Sequence, residues 1–127
     1  MDIRNYGDVT MMVNEFYRRV KVDELLGPVF MEKIPGDWEP HLQTLRKFWY
    51  TVLFGEPGYM GNPFMKHTSL PIDKDHFDRW IQLFYHTIDD LFSGERAEDA
   101  KFRAGRMSLL FQSKLKDMRE NKMKPLM

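Results

Sequence analysis

Apolar side chains recur three and four residues apart along almost the whole chain, and this regularity restricts the fold to packed helices. Val9, Met12, Val13, Phe16, Tyr17 and Val20 fall on one face, because residues at that spacing stack on the same side of an α-helix. A second face runs through Trp38, His41, Leu42, Leu45, Phe48, Trp49 and Val52, and a third through Phe77, Trp80, Ile81, Phe84, Ile88 and Leu91. Ala97, Ala100, Ala104, Met107, Leu110, Phe111 and Leu115 make a fourth. No stretch alternates with a period of two between hairpin turns. The spacing predicts one all-α domain over residues 1–127, built from four substantial helices and two short pieces.

Breaks in the pattern carry turn and cap residues. Asp8, Asp37 and Asp73 stand where N-caps are expected, and Pro40 falls in the first turn of its helix, where a missing N–H does little harm. Gly27-Pro28 is expected to break the short segment 22–34, and Ser93-Gly94 to end the fourth helix before a last one over 95–118. Residues 55–62 hold three Gly and one Pro and read as a loop.

A chain of 127 residues with 43% hydrophobic and 14% aromatic content has enough apolar surface for a real core. Ten Met and ten Phe suit either a loosely specified helical core or the irregular surface of a bound flat ligand, since Met is flexible and polarisable. Nineteen basic residues balance nineteen acidic ones, so no electrostatic footprint for nucleic acid or an anionic membrane stands out. The absence of cysteine removes disulfides, thiolate metal sites and Cys nucleophiles. No apolar run approaches the roughly 20 residues of a membrane span, and the N-terminus has no signal-peptide core, so a cytoplasmic location is expected.

Four histidines remain as candidates for chemistry. His76 and His86 fall on polar sides of their helix and read as surface residues. His41 shares a face with Leu45 and Phe48, where an imidazole needs a partner or a cavity, so it is either a satisfied core residue or part of a site. His67 lies in the stretch YMGNPFMKHTSLPI, residues 59–72, which turn-formers leave too short for a self-sustaining helix. It either caps a loop or is anchored from outside, and a haem iron–imidazole bond would supply that anchor. Tyr17 and Trp80 also sit on apolar faces, and each has a donor that wants a partner when buried. With His41 they place three donors on three helices. Nothing resembles a phosphate-cradling loop, a nucleotide fingerprint or a Ser–His–Asp set. Asp89-Asp90 are adjacent, so they cannot share one helix face for paired-carboxylate chemistry.

The order and spacing of several pieces resemble the truncated haemoglobins, group III in particular. The pieces are Phe16-Tyr17-x-x-Val20, Leu26-Gly27-Pro28-Val29-Phe30, Asp37-Trp38-x-x-His41-Leu42 and Phe48-Trp49. They continue with Tyr59-x-Gly61-x-Pro63-x-x-x-His67-x-x-Leu70-Pro71-Ile72 and His76-Phe77-x-Arg79-Trp80, and the set runs from about residue 10 to 112. The resemblance implies a two-over-two helical sandwich enclosing haem b, an abbreviated form of globin packing. It places His67 as the proximal iron ligand and Tyr17, His41 and Trp80 at the distal positions. It makes Phe30, Leu45, Phe48, Met65, Lys66 and Phe84 haem-pocket residues, with Lys66 within reach of a propionate.

A haem protein of this kind binds O2 or a related diatomic, and two distal donors would slow its release. That favours redox or ligand-detoxification chemistry, or sensing, over oxygen delivery. The alternative is a peroxidase-like or nitric-oxide-consuming enzyme. No reductase domain accompanies the chain in 127 residues, so its electrons would come from a separate reductase partner. The assignment of His67 has a direct check: His67→Ala should abolish the imidazole-ligated ferrous absorption spectrum, and an unchanged spectrum would contradict it.

Overall fold

The computed structural model describes residues 1–55 and 72–123, with side chains through residue 117. Among the described residues there are five helices and no strand: α1 Tyr6–Val22, α2 Leu26–Lys33, α3 Glu39–Phe54, α4 Lys74–Leu91 and α5 Glu95–Met123. α1 packs on α2, α3 and α4, while α5 packs on α4 and α3. The long helices thus form two layers, α1 with α3 and α4 with α5, in the expected two-over-two arrangement. None of the described helices is long and apolar enough to cross a membrane.

Each expected residue of the α1 face is buried, from Val9 to Val20. Its start differs from expectation. The N-cap is Asn5, whose side chain accepts from Asp8 N at 2.9 Å, and the Asp8 carboxylate accepts from Arg4 N at 2.9 Å. Asp8 therefore lies within the first turn, where a negative charge also favours the helix dipole.

Gly27-Pro28 does not break the second segment. Both fall in the first turn of α2, where Pro takes the place of an N–H that needs no helical acceptor. Gly27 is required by crowding, because a Cβ there would lie 2.5 Å from the Lys21 carbonyl oxygen. The α1–α2 corner is closed tightly by that contact.

Asp37 accepts from Glu39 N at 3.0 Å, although the cap position of α3 itself is Trp38. On α3 the buried set is Trp38, Leu45, Trp49 and Leu53. His41, Leu42, Phe48 and Val52 are half-buried. Asp73 caps α4 as expected, but its partner is His76: the imidazole Nδ1 accepts from Asp73 N at 3.2 Å, closing a reciprocal capping box. The His76 side chain is only 16% exposed, which corrects its reading as a surface residue. His86 is exposed.

On α5 the buried positions are Ala97, Ala100, Ala104, Ser108, Phe111 and Leu115, a strict three–four spacing. Leu110 falls off that stripe and is 50% exposed, contrary to expectation. The helix also continues past residue 118 to Met123.

The N-terminus completes α5. Asp2 lies 94 residues from Arg96, yet its carboxylate accepts from Arg96 N and Ala97 N, both at 2.9 Å. Met1 O accepts from Ser93 N. Gly94, at φ +134°, leaves room for this, since a Cβ would lie 2.6 Å from Asp2 Cγ. Burial opposes ionisation of Asp2, but the backbone N–H groups of Arg96, Ala97 and Ile3 outweigh it and hold its pKa below the ordinary value.

A folded-state pKa that is depressed adds stability above the unfolded value of about 3.9, and the gain fades as pH falls through the folded value. Asp2→Ala should therefore cost about 1 kcal/mol in urea unfolding at neutral pH. The difference from the parent protein should narrow below about pH 4. A pH-independent difference would show that packing, not the charged cap, is what Asp2 supplies.

Candidate functional site

Four of the five helices send an aromatic group into one region. Tyr17 comes from the middle of α1, Phe30 from α2, Trp38 and His41 from the first turns of α3, and Trp80 from α4. Phe16, beside Tyr17, anchors α1 by placing its ring edge-on to both Trp80 (5.5 Å) and Phe84 (5.1 Å). Phe84 in turn stacks between Trp80 at 5.8 Å and Trp49 at 5.0 Å. The Trp80 indole is thus held by a column of rings that runs back into the core.

Tyr17 is 3% exposed, and the Trp80 indole stands near its hydroxyl as a donor that acts to lower the phenol pKa. Burial pushes the phenol pKa far up, and the Trp80 bond only partly offsets this, so Tyr17 keeps its proton throughout the physiological range. Because the oxygen already accepts from Trp80, the Tyr17 O–H remains a donor for something else.

His41 stands edge-on to Tyr17 at 5.8 Å and to Trp38 at 6.2 Å, with interplanar angles of 86° and 87°. Tyr17 and Trp38 lie 6.3 Å apart, so the three rings form a closed set. Lys21 Nζ covers the Trp38 ring at 4.6 Å, a cation–π contact that backs the indole with a charge. Phe30 meets Tyr17 at 6.5 Å from the other side.

Beside this set lies an apolar cavity with about 340 Å³ of empty volume, part of it open to solvent, lined by Leu26, Phe30, Ile72, His76, Phe77, Trp80 and Phe111. Phe30 and Trp80 belong to both the ring set and the cavity wall. An apolar hollow walled by rings and the His76 imidazole, with the Tyr17 phenol and the His41 imidazole in the adjoining ring set, has the chemistry a haem and its distal ligand require: ring faces for a flat macrocycle and few, placed donors. Among the described residues no group of three or more His, Cys, Asp or Glu gathers to hold a bare metal ion. An axial haem bond needs only one imidazole.

The residues expected from the sequence are distributed as follows. Tyr17, His41, Trp80 and Phe30 come together. Leu45 is buried on α3 one turn beyond His41. Phe84 stands behind Trp80 instead of lining the cavity. Phe48 borders a different hollow, between α3 and α5, with Val52, Phe102, Met107 and the stems of Arg103 and Arg106. Met65, Lys66 and His67 lie outside the described residues.

Sequence reasoning missed Trp38 as a member of the distal set, although its spacing of three from His41 was the available signal. It also missed Phe77 and Phe111 as cavity walls and His76 at the cavity rim. Phe77 lies one turn before Trp80 and Phe111 falls on the strict α5 stripe, so spacing marked them as buried without saying against what.

The model of the bacterial-like globin family matches residues 5–114. A group 3 truncated haemoglobin of Campylobacter jejuni is 30% identical over 115 residues, covering 87% of this chain and 91% of that protein. This chain belongs to the group III truncated haemoglobins. The crystal structure of the group III truncated haemoglobin from Campylobacter jejuni superimposes with a TM-score of 0.82 at 29% identity, covering 91% of this chain and 94% of that one. A group 2 truncated haemoglobin of Bacillus subtilis is 28% identical over 106 residues, covering 80% of this chain and 76% of that protein.

Membership in the globins brings with it haem as cofactor and the binding of a diatomic gas such as O2. The truncated haemoglobin fold also accounts for the short α2: it carries Phe30 to the cavity within one and a half turns of the α1–α2 corner.

Proposed function

We propose that this truncated haemoglobin retains its diatomic ligand instead of delivering it, and uses it in redox or ligand-detoxification chemistry. The observation that supports this is the buried Tyr17 hydroxyl, satisfied on its oxygen by Trp80 and left with a proton to donate. Haem, which His67 would hold, would supply the iron site for a diatomic ligand that carries partial negative charge when bound. Tyr17 O–H would donate to that charge. Trp80 fixes the direction of the Tyr17 proton by occupying the oxygen lone pair on the other side.

His41 controls access, because its ring closes the gap between Tyr17 and Trp38 and has to turn for a ligand to pass. Phe30, Leu45 and the column behind Trp80 keep water away from the donors, which strengthens each bond by lowering the local dielectric. Lys66 would serve a propionate, and Met65 would complete the apolar surroundings.

A hydrogen bond to a charged partner contributes about 1.5–3 kcal/mol, or roughly ten- to hundredfold in ligand retention. Retention of that size is poorly matched to oxygen supply and well matched to a site where the ligand reacts. The reaction classes the donors suit are peroxide reduction and consumption of nitric oxide, with electrons from a separate reductase. A sensing role shares the same pocket but needs a surface that changes with occupancy.

Tyr17→Phe should raise the O2 dissociation rate about tenfold or more in stopped flow, by loss of one charge-assisted bond. Trp80→Phe should raise it less, since Trp80 acts mainly through Tyr17. Rapid catalytic loss of peroxide or nitric oxide with a supplied reductant would favour the enzymatic reading. Unaltered dissociation rates in both variants would overturn the retention reading.

A further inference from the structure

The Tyr17–Trp80 bond joins α1 to α4, and a second contact beside it fixes how those helices meet. Asp23 follows the last residue of α1 and its side chain is only 3% exposed. Its Oδ2 accepts from Leu25 N at 3.1 Å and Leu26 N at 3.0 Å, which starts α2. Its Oδ1 accepts from Arg79 Nε at 2.6 Å, across 56 residues of sequence. Arg79 immediately precedes Trp80 on α4. Tyr17 lies six residues before Asp23, a separation of about 9 Å along the helix axis.

The two contacts are rungs between the same pair of helices, one residue apart on α4 and well separated on α1. Phe16 packing on Trp80 and Phe84 holds the two helices together, and the second rung adds a directional polar contact that ring packing does not supply. Arg19 also reaches across, to Asp90 at 2.9 Å, but Asp90 is 60% exposed and solvent screens such a pair. The Asp23–Arg79 rung differs because its carboxylate is buried and fully hydrogen-bonded.

We infer that Asp23 and Arg79 are positioning residues for the distal pocket: their ion pair holds the Trp80 indole N–H on the Tyr17 hydroxyl. The inference rests on the distal roles proposed for Tyr17 and Trp80, and adds two residues that touch neither ligand nor haem cavity. Asp23 has a second duty in starting α2, but Arg79 does not. Arg79→Met therefore removes the rung, keeps the aliphatic stem and leaves the α2 start intact. Arg79→Lys keeps the charge without the fixed Nε–H and should rescue only in part.

The test follows the Trp80 indole N–H signal in the 1H–15N spectrum of the diamagnetic CO-bound protein, assigned by its absence in Trp80→Phe. Arg79→Met should move that signal toward the position of an unbonded indole. It should also raise the O2 dissociation rate roughly two- to tenfold, the share of one neutral hydrogen bond. In a Trp80→Phe background Arg79→Met should add no further change, because both act through one bond.

A lowered urea midpoint with an unmoved indole signal would overturn the inference, as would effects on dissociation that simply add. If the indole signal moves while neither Tyr17→Phe nor Trp80→Phe alters dissociation, the rung stands and the retention reading fails.

Discussion

A hydroxyl buried as deeply as Tyr17 wants a hydrogen-bond partner, and the donor that bears on it is the indole of Trp80 on the opposite layer. An unpaired hydroxyl in such a place would cost about 1–3 kcal/mol, so α1 and α4 are held at the separation where the Trp80 N–H reaches it. Much of the core follows from that constraint. Phe16 fills the space beneath the bond, Phe84 stacks behind Trp80, and Trp49 brings α3 onto the same column. The same bond gives the pocket its chemistry, because it uses the oxygen of Tyr17 and leaves the proton.

Stability and function are therefore connected through one contact without being the same thing. The Asp2 cap on α5 and the Gly27 close approach at the α1–α2 corner shape the frame far from any donor. The aromatic set of Tyr17, Trp38 and His41 lies where α1 and α3 converge. Lys21 over Trp38 closes the outer side of that set.

Much of this was legible in the sequence because helical burial leaves a period. The α1 face, the Asp73 cap and the aromatic stripe of α4 could be read from spacing alone. Which of two neighbouring cap-competent residues starts a helix could not, since Asn5 and Asp8 both suit the role and only the Arg4 contact to Asp8 decides between them. Gly27-Pro28 looked like a break because the same pair also suits a helix start. His76 was misplaced because a histidine three residues after Asp73 looks polar, whereas the capping box turns it inward. The positioning contact of Asp23 with Arg79 left no local signal at all, because its partners are 56 residues apart. The part of the site around His67 rests on the family motif, and there the sequence spoke only through resemblance.

The central claim is that the Tyr17 proton, freed by Trp80, points at the bound ligand. The C–O stretching band of the CO-bound protein reads that contact directly, since a donor to the ligand oxygen lowers its frequency. The account expects a low-frequency band in the parent protein that moves to higher frequency in Tyr17→Phe. A band at the same frequency in both proteins would show that Tyr17 spends its proton elsewhere and would contradict the account.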